Sequence, residues 1–480
     1  MLQNRLDCEV LVVGSGPGGA NTAYLLAQAG KDVILAEEGE NLTVEQTPAY
    51  SLEEMKSKYR HGGMTVALGK PSVAYLEGCC VGGGSEINAG LYHYPSPEVL
   101  EEWVKDFAIR DFGFGKLEPF FKSCEQDISV SSMPGQVGSA SLKLQEGARK
   151  LNWKTAQIPR CWKYECLSDG TWHSSRQSMT ETIIPKALRH GCRLLTRAKV
   201  KRLCLKNHRA DHALVSSVTK AGEQSLTTIN FRQVFVCGGA VQTPALLRRS
   251  GIKKNIGNSL RMHPAIRMVA KFSEAVNEEQ EGVPVVQVEE FKPRLTLGGS
   301  YSALPHLALW LGPQRIQKLL PVWKNLAMFY ALIVGQGAGT VRNIPWTDEP
   351  WVRMPLTRTD ASSFREGLEL LGRLLFAAGA TEIFPPMQGL EILKTPDDLK
   401  IFLGNLSLNK MDISTIHLFS SCPMGEKTEL CAVDSYGKLH GFKNIYLNDA
   451  SILPSAPRVN PQALIMAIAR RNTAKFLENI

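Results

Sequence analysis

The chain has 480 residues, 44% hydrophobic and 21% charged, an ordinary globular composition with apolar residues enough for one or two large cores. Its net charge of +9 is spread without a run of five or six like charges, so no nucleic-acid partner is expected. Eleven cysteines, an odd count, and a first element that begins almost at the amino terminus predict free thiols, no export segment and a cytoplasmic protein.

The stretch "CEVLVVGSGPGGANTAYLLAQAGKDVILAEEG" opens the chain's chemistry. Glu9 to Val13 reads as a buried parallel strand, and "ANTAYLLAQAG" as a helix ending at Gly30. "DVILA" reads as a second strand, with Glu37 directly after it. Between strand and helix, Gly14, Gly16 and Gly19 form a G-x-G-x-x-G motif. The first glycine permits a tight turn, the second a close approach to a pyrophosphate, and the third close packing of helix on strand. The helix amino terminus presents free N–H groups to phosphates. Glu37 stands 18 residues past Gly19, the spacing of an acid that holds ribose hydroxyls. Strand, turn, helix, strand and acid in this order predict a dinucleotide site and leave FAD and NAD open.

Further along, "YLEGCCVGGGSEINAGLYHYPSPEVLEEW" (75–103) holds three successive glycines, Gly82 to Gly84, suited to backbone folded around a flat or charged ligand. Ser96 and Pro97 then predict a helix start, with serine as cap. Cys161 and Cys166 in "CWKYEC" have no second pair at ligand spacing, so no metal is expected. The most apolar segment, 319–339, is interrupted by Pro321, Lys324 and Asn325. It falls short of the roughly 18 uninterrupted apolar residues of a membrane span and reads as a helix running into a buried strand, "MFYALIVGQ" (328–336). "TDASSFREGLELLGRLLFAAG" (359–379) predicts an amphipathic helix capped by Thr359 or Asp360.

The 75–103 stretch resembles the flavin-contacting loop of the glucose–methanol–choline (GMC) oxidoreductases, and the resemblance extends over nearly the whole chain. "TRAKVKRL" (196–203), "VFVCGGAVQTPALLRRSG" (234–251), "IGNSLRMHP" (256–264) and "VDSYGKLHGFKNIYLNDASILP" (433–454) are similar to further family segments. The resemblance implies an α/β fold: a Rossmann-type FAD-binding unit with a discontinuous substrate unit built on an antiparallel sheet. The expected division is 1–125, 190–260 and 425–480 for the first, and 126–189 and 261–424 for the second. It implies FAD as cofactor, with Gly83, Asn88, Ala89, Gly90 and Leu91 in the flavin loop. Val200 is implied near adenine, and Asp449, Ala450, Asn460 and Pro461 at the closing end. Members that attach flavin covalently do so through a histidine directly before the loop asparagine. Ile87 stands there, which implies non-covalent FAD, and His93 reads as a packing or pocket residue.

His417 in "HLFSSCPMG" and Asn460 in "RVNPQALIMAIARR" match the catalytic pair of that family. An isolated histidine is more often structural; its pairing with Asn460 favours catalysis. The implied reaction is oxidation of an alcohol to a carbonyl. His417 would take the hydroxyl proton while a hydride passes to flavin N5, and Asn460 would donate to the developing alkoxide. The electron acceptor is O2 or another carrier. The family commonly has glycine where this chain has Ser420, followed by Ser421; a bulkier turn there would shift His417 or narrow the pocket. Cys422 reads as a small buried residue. Relatives of the same fold that are lyases or photodecarboxylases form the alternative reading, disfavoured by the retained pair. "PHLALWLGP" and "VWKNLAMFY" hint at a hydrophobic alcohol, though core positions of a large sheet explain them better.

Overall fold

A computed structural model describes residues 3–44, 46–169, 172–218, 222–277, 282–387 and 392–479. Its first sheet has strand order Ala198–Lys206, Arg209–Val218, Gln224–Val236, Gln3–Val13, Val33–Ala36 and Arg193–Leu195. Ile445–Leu447 also pairs with Gln224–Val236. Val10 to Val13 and Val33 to Ala36 are buried throughout and pair in parallel, Val10 opposite Val33. Strands buried on both faces read as continuous apolar runs, and a parallel pair needs a crossover helix. That helix is Pro17–Gln28. It begins inside the glycine motif, earlier than expected, because Pro17 suits the first turn, where its missing N–H is no loss. Gly30 follows with φ +76°, the left-handed geometry that ends a helix.

The chain's last helix, Gln462–Glu478, packs against this first one. Arg470 is 3% exposed, yet its guanidinium reaches Asn21 Oδ1 at 2.6 Å, Ser123 Oγ at 2.5 Å and Asp127 Oδ2 at 2.5 Å. A buried charge is tolerated only with such partners. Asn448 Nδ2 donates to Thr22 Oγ1 at 2.8 Å and to the Ala469 carbonyl at 3.0 Å, tying the closing strand to both helices.

The second sheet has nine strands. Its order is Thr65–Ala67, Val73–Tyr75, Ile413–Thr415, Ala265–Lys271, Leu326–Ile333, Leu295–Gly299, Val286–Val288 and Thr155–Gln157, with Glu382–Phe384 also on Ala265–Lys271. Pairing is antiparallel except between Ile413–Thr415 and Val73–Tyr75. Two of its strands thus come from the 65–75 region, within the first of the expected cofactor spans. Leu320–Asn325 forms a short 3-10 turn before the buried strand Leu326–Ile333.

Ile266, Met268 and Ala270 on one face of the sheet cluster with Phe364, Leu368 and Leu371 of the helix Arg358–Ala377. The cap of that helix is Thr357, not Thr359 or Asp360. Thr357 Oγ1 accepts from Asp360 N at 3.1 Å, and Asp360 Oδ2 accepts from Thr357 N at 2.7 Å. This reciprocal box needs the acid at the third helical position, which is what displaced the expected cap. Ser96 does precede the helix Pro97–Phe107, but its hydroxyl makes no capping bond.

All eleven cysteines are free. Cys161 is buried and Cys166 exposed on one strand, an odd offset that sends them to opposite faces. Among the described residues no group of three or more His, Cys, Asp or Glu fits a metal, and no helix is long and apolar enough to cross a membrane.

Candidate active site

A long cleft runs from the end of the first sheet to the edge of the second. Gly14, Gly16, Glu37, Gly83, Asn88, Ala89, Gly90, Leu91, Val200, Asp449, Ala450, Asn460, Pro461 and His417 all line it. Gly19 does not line it. A Cβ on Gly19 would stand 1.8 Å from the Gly14 carbonyl oxygen, so this position serves helix–strand packing. Gly14 has φ +96°, and a Cβ there would lie 2.4 Å from the Cys237 carbonyl oxygen. Gly16 meets nothing nearer than the Gly83 Cα at 3.9 Å, which leaves its backbone open to the cleft. The two glycine loops thus form a backbone cradle that any side chain at Gly83, 2.8 Å from the Gly16 Cα, would fill.

Glu37 closes the far end. Its Oε2 accepts from Ser15 N at 2.9 Å and Ser15 Oγ at 2.7 Å, and its Oε1 from Gly39 N at 2.9 Å. Burial raises its pKa, opposed by those three donors. Next to it, burial would raise Glu38, but Arg60 and Lys199 outweigh it and hold that carboxylate down at about 2. This end of the cleft therefore carries a held acid at Glu37 beside a neutralised one at Glu38. We expect Glu37→Ala to weaken FAD affinity of the apoprotein by about 1.5–3 kcal/mol, roughly ten- to a hundredfold, in a fluorescence titration. Unchanged affinity would place the adenosine end elsewhere.

The middle of the cleft is braced by side chains committed to protein. Asn88 Nδ2 donates to Gln462 Oε1 at 2.5 Å, and Asn88 Oδ1 accepts from Gly90 N at 2.9 Å, so the loop is pinned to the head of the last helix. Asp449 Oδ2 accepts from Gly239 N at 2.7 Å and Thr243 Oγ1 at 2.5 Å, joining the closing strand to the second glycine turn. Burial raises the Asp449 pKa, against the pull of Ser451 and Thr243. Ile87 is buried and offers no nucleophile. His93 Nε2 lies 2.9 Å from Gln287 Oε1 on the second sheet.

His417 follows the strand Ile413–Thr415 and is 9% exposed. Its N–H donates to Thr415 Oγ1 at 3.0 Å, which fixes the backbone, and its ring lies edge-on to His263, centroids 5.5 Å apart. Its Nδ1 is buried without a partner. Burial, then repulsion from His93 in its protonated form and from Arg267, lower its pKa to about 3. The imidazole is neutral at pH 7 and able to accept a proton. Asn460 is half-buried, makes no side-chain hydrogen bond among the described residues, and precedes Pro461, the cap of the last helix. That helix end adds positive dipole to the cleft.

Ser420 has φ +66°, a conformation that glycine adopts without strain, and it is fully buried. The turn is nonetheless held: Ser420 N, Cys422 N and Met424 N donate to the Ala450, Ser451 and Ile452 carbonyls at 3.1, 2.8 and 2.9 Å. His417 remains on the cleft wall despite the bulkier turn. Cys422 is fully buried, and burial raises its thiol pKa, as for a packing residue. Ser15, Gly18, Thr243 and Gln462 support the site without having been singled out in the sequence. Their roles depend on partners tens to hundreds of residues away, although Ser15 and Gly18 sit within the glycine motif itself.

A dinucleotide-type fold, a second sheet beside its cleft and a neutral histidine lining that cleft fit a flavin-dependent oxidoreductase. The chain belongs to the GMC oxidoreductase family: its amino-terminal and carboxy-terminal models match residues 55–265 and 339–469, and an FAD binding domain model matches residues 7–54. It is an FAD-dependent alcohol oxidoreductase. It is 37% identical, over 97% of this chain and 94% of the relative, to "Uncharacterized GMC-type oxidoreductase y4nJ" of Sinorhizobium fredii (strain NBRC 101917 / NGR234). It is 24% identical, over 97% of this chain and 67% of the relative, to the long-chain-alcohol oxidase FAO3 of Arabidopsis thaliana. The crystal structure of pyridoxine 4-oxidase from Mesorbium loti shares the fold, with TM-score 0.75 and 18% identity, covering 98% of this chain and 99% of that one.

Proposed function

We propose that the protein oxidises an alcohol to the carbonyl compound with His417 as the base and Asn460 as the oxygen-binding partner. FAD, when bound, supplies the hydride acceptor. His417 takes the hydroxyl proton, so that the carbon–oxygen double bond forms as the carbinol C–H bond breaks. The Asn460 amide donates to the oxygen as negative charge builds on it, and does so at any pH. The observation that carries this reading is a neutral, buried histidine lining the same cleft as an asparagine at a helix head whose side chain makes no hydrogen bond among the described residues. The long-chain-alcohol oxidase and the pyridoxine 4-oxidase among its relatives support the alcohol oxidation.

The reading includes non-covalent FAD, supported by buried Ile87 before Asn88. It also includes a cofactor unit of 1–125, 190–260 and 425–480 against a substrate unit of 126–189 and 261–424, and O2 or another carrier as final acceptor. The test is an anaerobic screen of primary and secondary alcohols for bleaching of the bound flavin. Bleaching by an alcohol supports the reading; a panel that leaves the flavin oxidised overturns it.

A pH dependence follows. With its pKa lowered to about 3, His417 keeps its base form as pH falls from 8 to about 5 and gains a proton only below that. The anaerobic reduction rate should therefore stay flat over that range. An acid limb near the ordinary histidine value of about 6.5 would contradict it.

A further inference from the structure

The second sheet carries a polar row that this mechanism leaves unused. Ile266, Met268 and Ala270 face the helix Arg358–Ala377, so alternation sends Ala265, Arg267 and Val269 to the other face. On that face Gln287 stands opposite Gly298, Gly298 opposite Tyr330, and Tyr330 opposite Arg267. At one end Gln287 bonds Tyr330 Oη at 2.8 Å and meets His93, two residues past Leu91 on the cleft loop. At the other end Arg267 Nη1 donates to Ser414 Oγ, three residues before His417, and Arg267 Nε reaches Ser300 Oγ at 3.4 Å. The row thus spans from the 88–93 loop to the strand Ile413–Thr415 that precedes His417. Trp310 covers the guanidinium, its ring centroid 5.0 Å from Cζ.

Arg267 has no ion pair among the described residues, and its side-chain acceptors are two hydroxyls. Of the buried arginines, Arg60, Arg176 and Arg470 lie in ion pairs, and Arg160, without one among the described residues, is held by Tyr164 Oη and the Val283 carbonyl. Arg471 donates to the carbonyls of Arg110, Asp111 and Ser435. Both serine oxygens accept from Arg267, which leaves their own O–H groups free to donate to the same anion. His93, His306 and His417 are held neutral, lowered to about 4, 4 and 3 mainly by burial, so they add no competing charge. A guanidinium fork matches a carboxylate in shape as well as charge.

We propose that Arg267 is a specificity residue that binds a carboxylate on the substrate, making the substrate a hydroxy acid whose hydroxyl meets His417. Trp310 over the guanidinium, and Tyr301, next in chain to Ser300 and stacked on Tyr50 with centroids 4.1 Å apart, are aromatic groups around it. This rests on the proposed alcohol oxidation. The test uses the holoenzyme with 4-(hydroxymethyl)benzoate, benzyl alcohol and benzoate.

The hydroxy acid should reach half-saturation of flavin reduction at a concentration roughly ten- to a hundredfold below that of benzyl alcohol. Benzoate should perturb the flavin absorption and compete with benzyl alcohol. Arg267→Gln should abolish both the preference and the benzoate binding, and Arg267→Lys should restore part of each. Should Arg267→Gln fail to fold, the benzoate titration of the wild type decides. Equal half-saturation for acid and alcohol, with no benzoate perturbation, overturns the proposal while leaving alcohol oxidation standing. Benzoate binding without reduction by either alcohol overturns the reaction instead.

Discussion

His417→Ala slows anaerobic flavin reduction by about 10²–10⁴, the usual loss when a positioned base is removed. FAD remains bound in that variant, because His417 holds no part of the glycine cradle or of Glu37. The backbone bond of residue 417 to Thr415 survives the substitution, so the strand end keeps its place. Asn460→Ala lowers the rate as well, by removing a donor at the oxygen that becomes charged. Asn460→His is milder, since an imidazole N–H still donates. The double variant loses less than the product of the single losses, as expected for groups that serve one transition state. Stopped-flow reduction with one alcohol substrate checks all four. A His417→Ala enzyme reduced at near wild-type rate removes His417 as the base and brings the lyase-type reading forward, with the Ser420–Ser421 turn as the first suspect.

Gly18→Ala produces the second large effect, this time on the fold. A Cβ at Gly18 would stand 1.9 Å from the Asn448 carbonyl oxygen and 3.0 Å from the Asp449 Cα. Neither is a flexible side-chain end. Asn448 is held through Thr22, Ala469 and Thr473, and Asp449 through Gly239 and Thr243. The added methyl has to push the first helix off the closing strand, at about 1–3 kcal/mol or more for overpacking a core. The same shift moves the helix amino terminus away from the cleft, so bound FAD falls with it. Gly115→Ala, with no atom within 4 Å and a place inside the helix Phe114–Asp127, is the matched control and should be neutral or slightly stabilising. Thermal denaturation and flavin content after gel filtration read both. A Gly18→Ala protein with normal melting and full flavin would contradict the packing argument.

The contrast between these residues shows what a reader of the sequence sees. The glycine motif, its flanking strands and Glu37 lie within 35 residues, so local rules of turn, cap and burial expose them. Gly18 sits in the middle of that motif, yet its contact is with Asn448, 430 residues away, and no local pattern announces it. Of the second sheet, the apolar run of Leu326–Ile333 is legible as a buried strand, and the sheet as a whole only as an expectation from resemblance. Its neighbours in space are strands from 65–75, 155–157, 265–271 and 413–415, brought together by long-range pairing. Arg267 escaped notice for the same reason: one basic residue in an apolar strand acquires meaning only when Tyr330, Ser300 and Ser414 stand around it. The cap of the 358–377 helix was misplaced by local reading because Asp360 is a good cap and a good third residue alike. The Thr357 hydroxyl decides between them.

The central claim is that a carbinol C–H bond breaks as His417 holds the hydroxyl proton. Its most direct test is the anaerobic rate of flavin reduction by one alcohol substrate, protiated and then deuterated at the carbinol carbon, in wild type and in His417→Ala. The account predicts a slower rate with the deuterated alcohol in the wild type, and a rate lower by orders of magnitude in the variant. Equal rates for the two isotopologues under single-turnover conditions, or a variant as fast as the wild type, would contradict it.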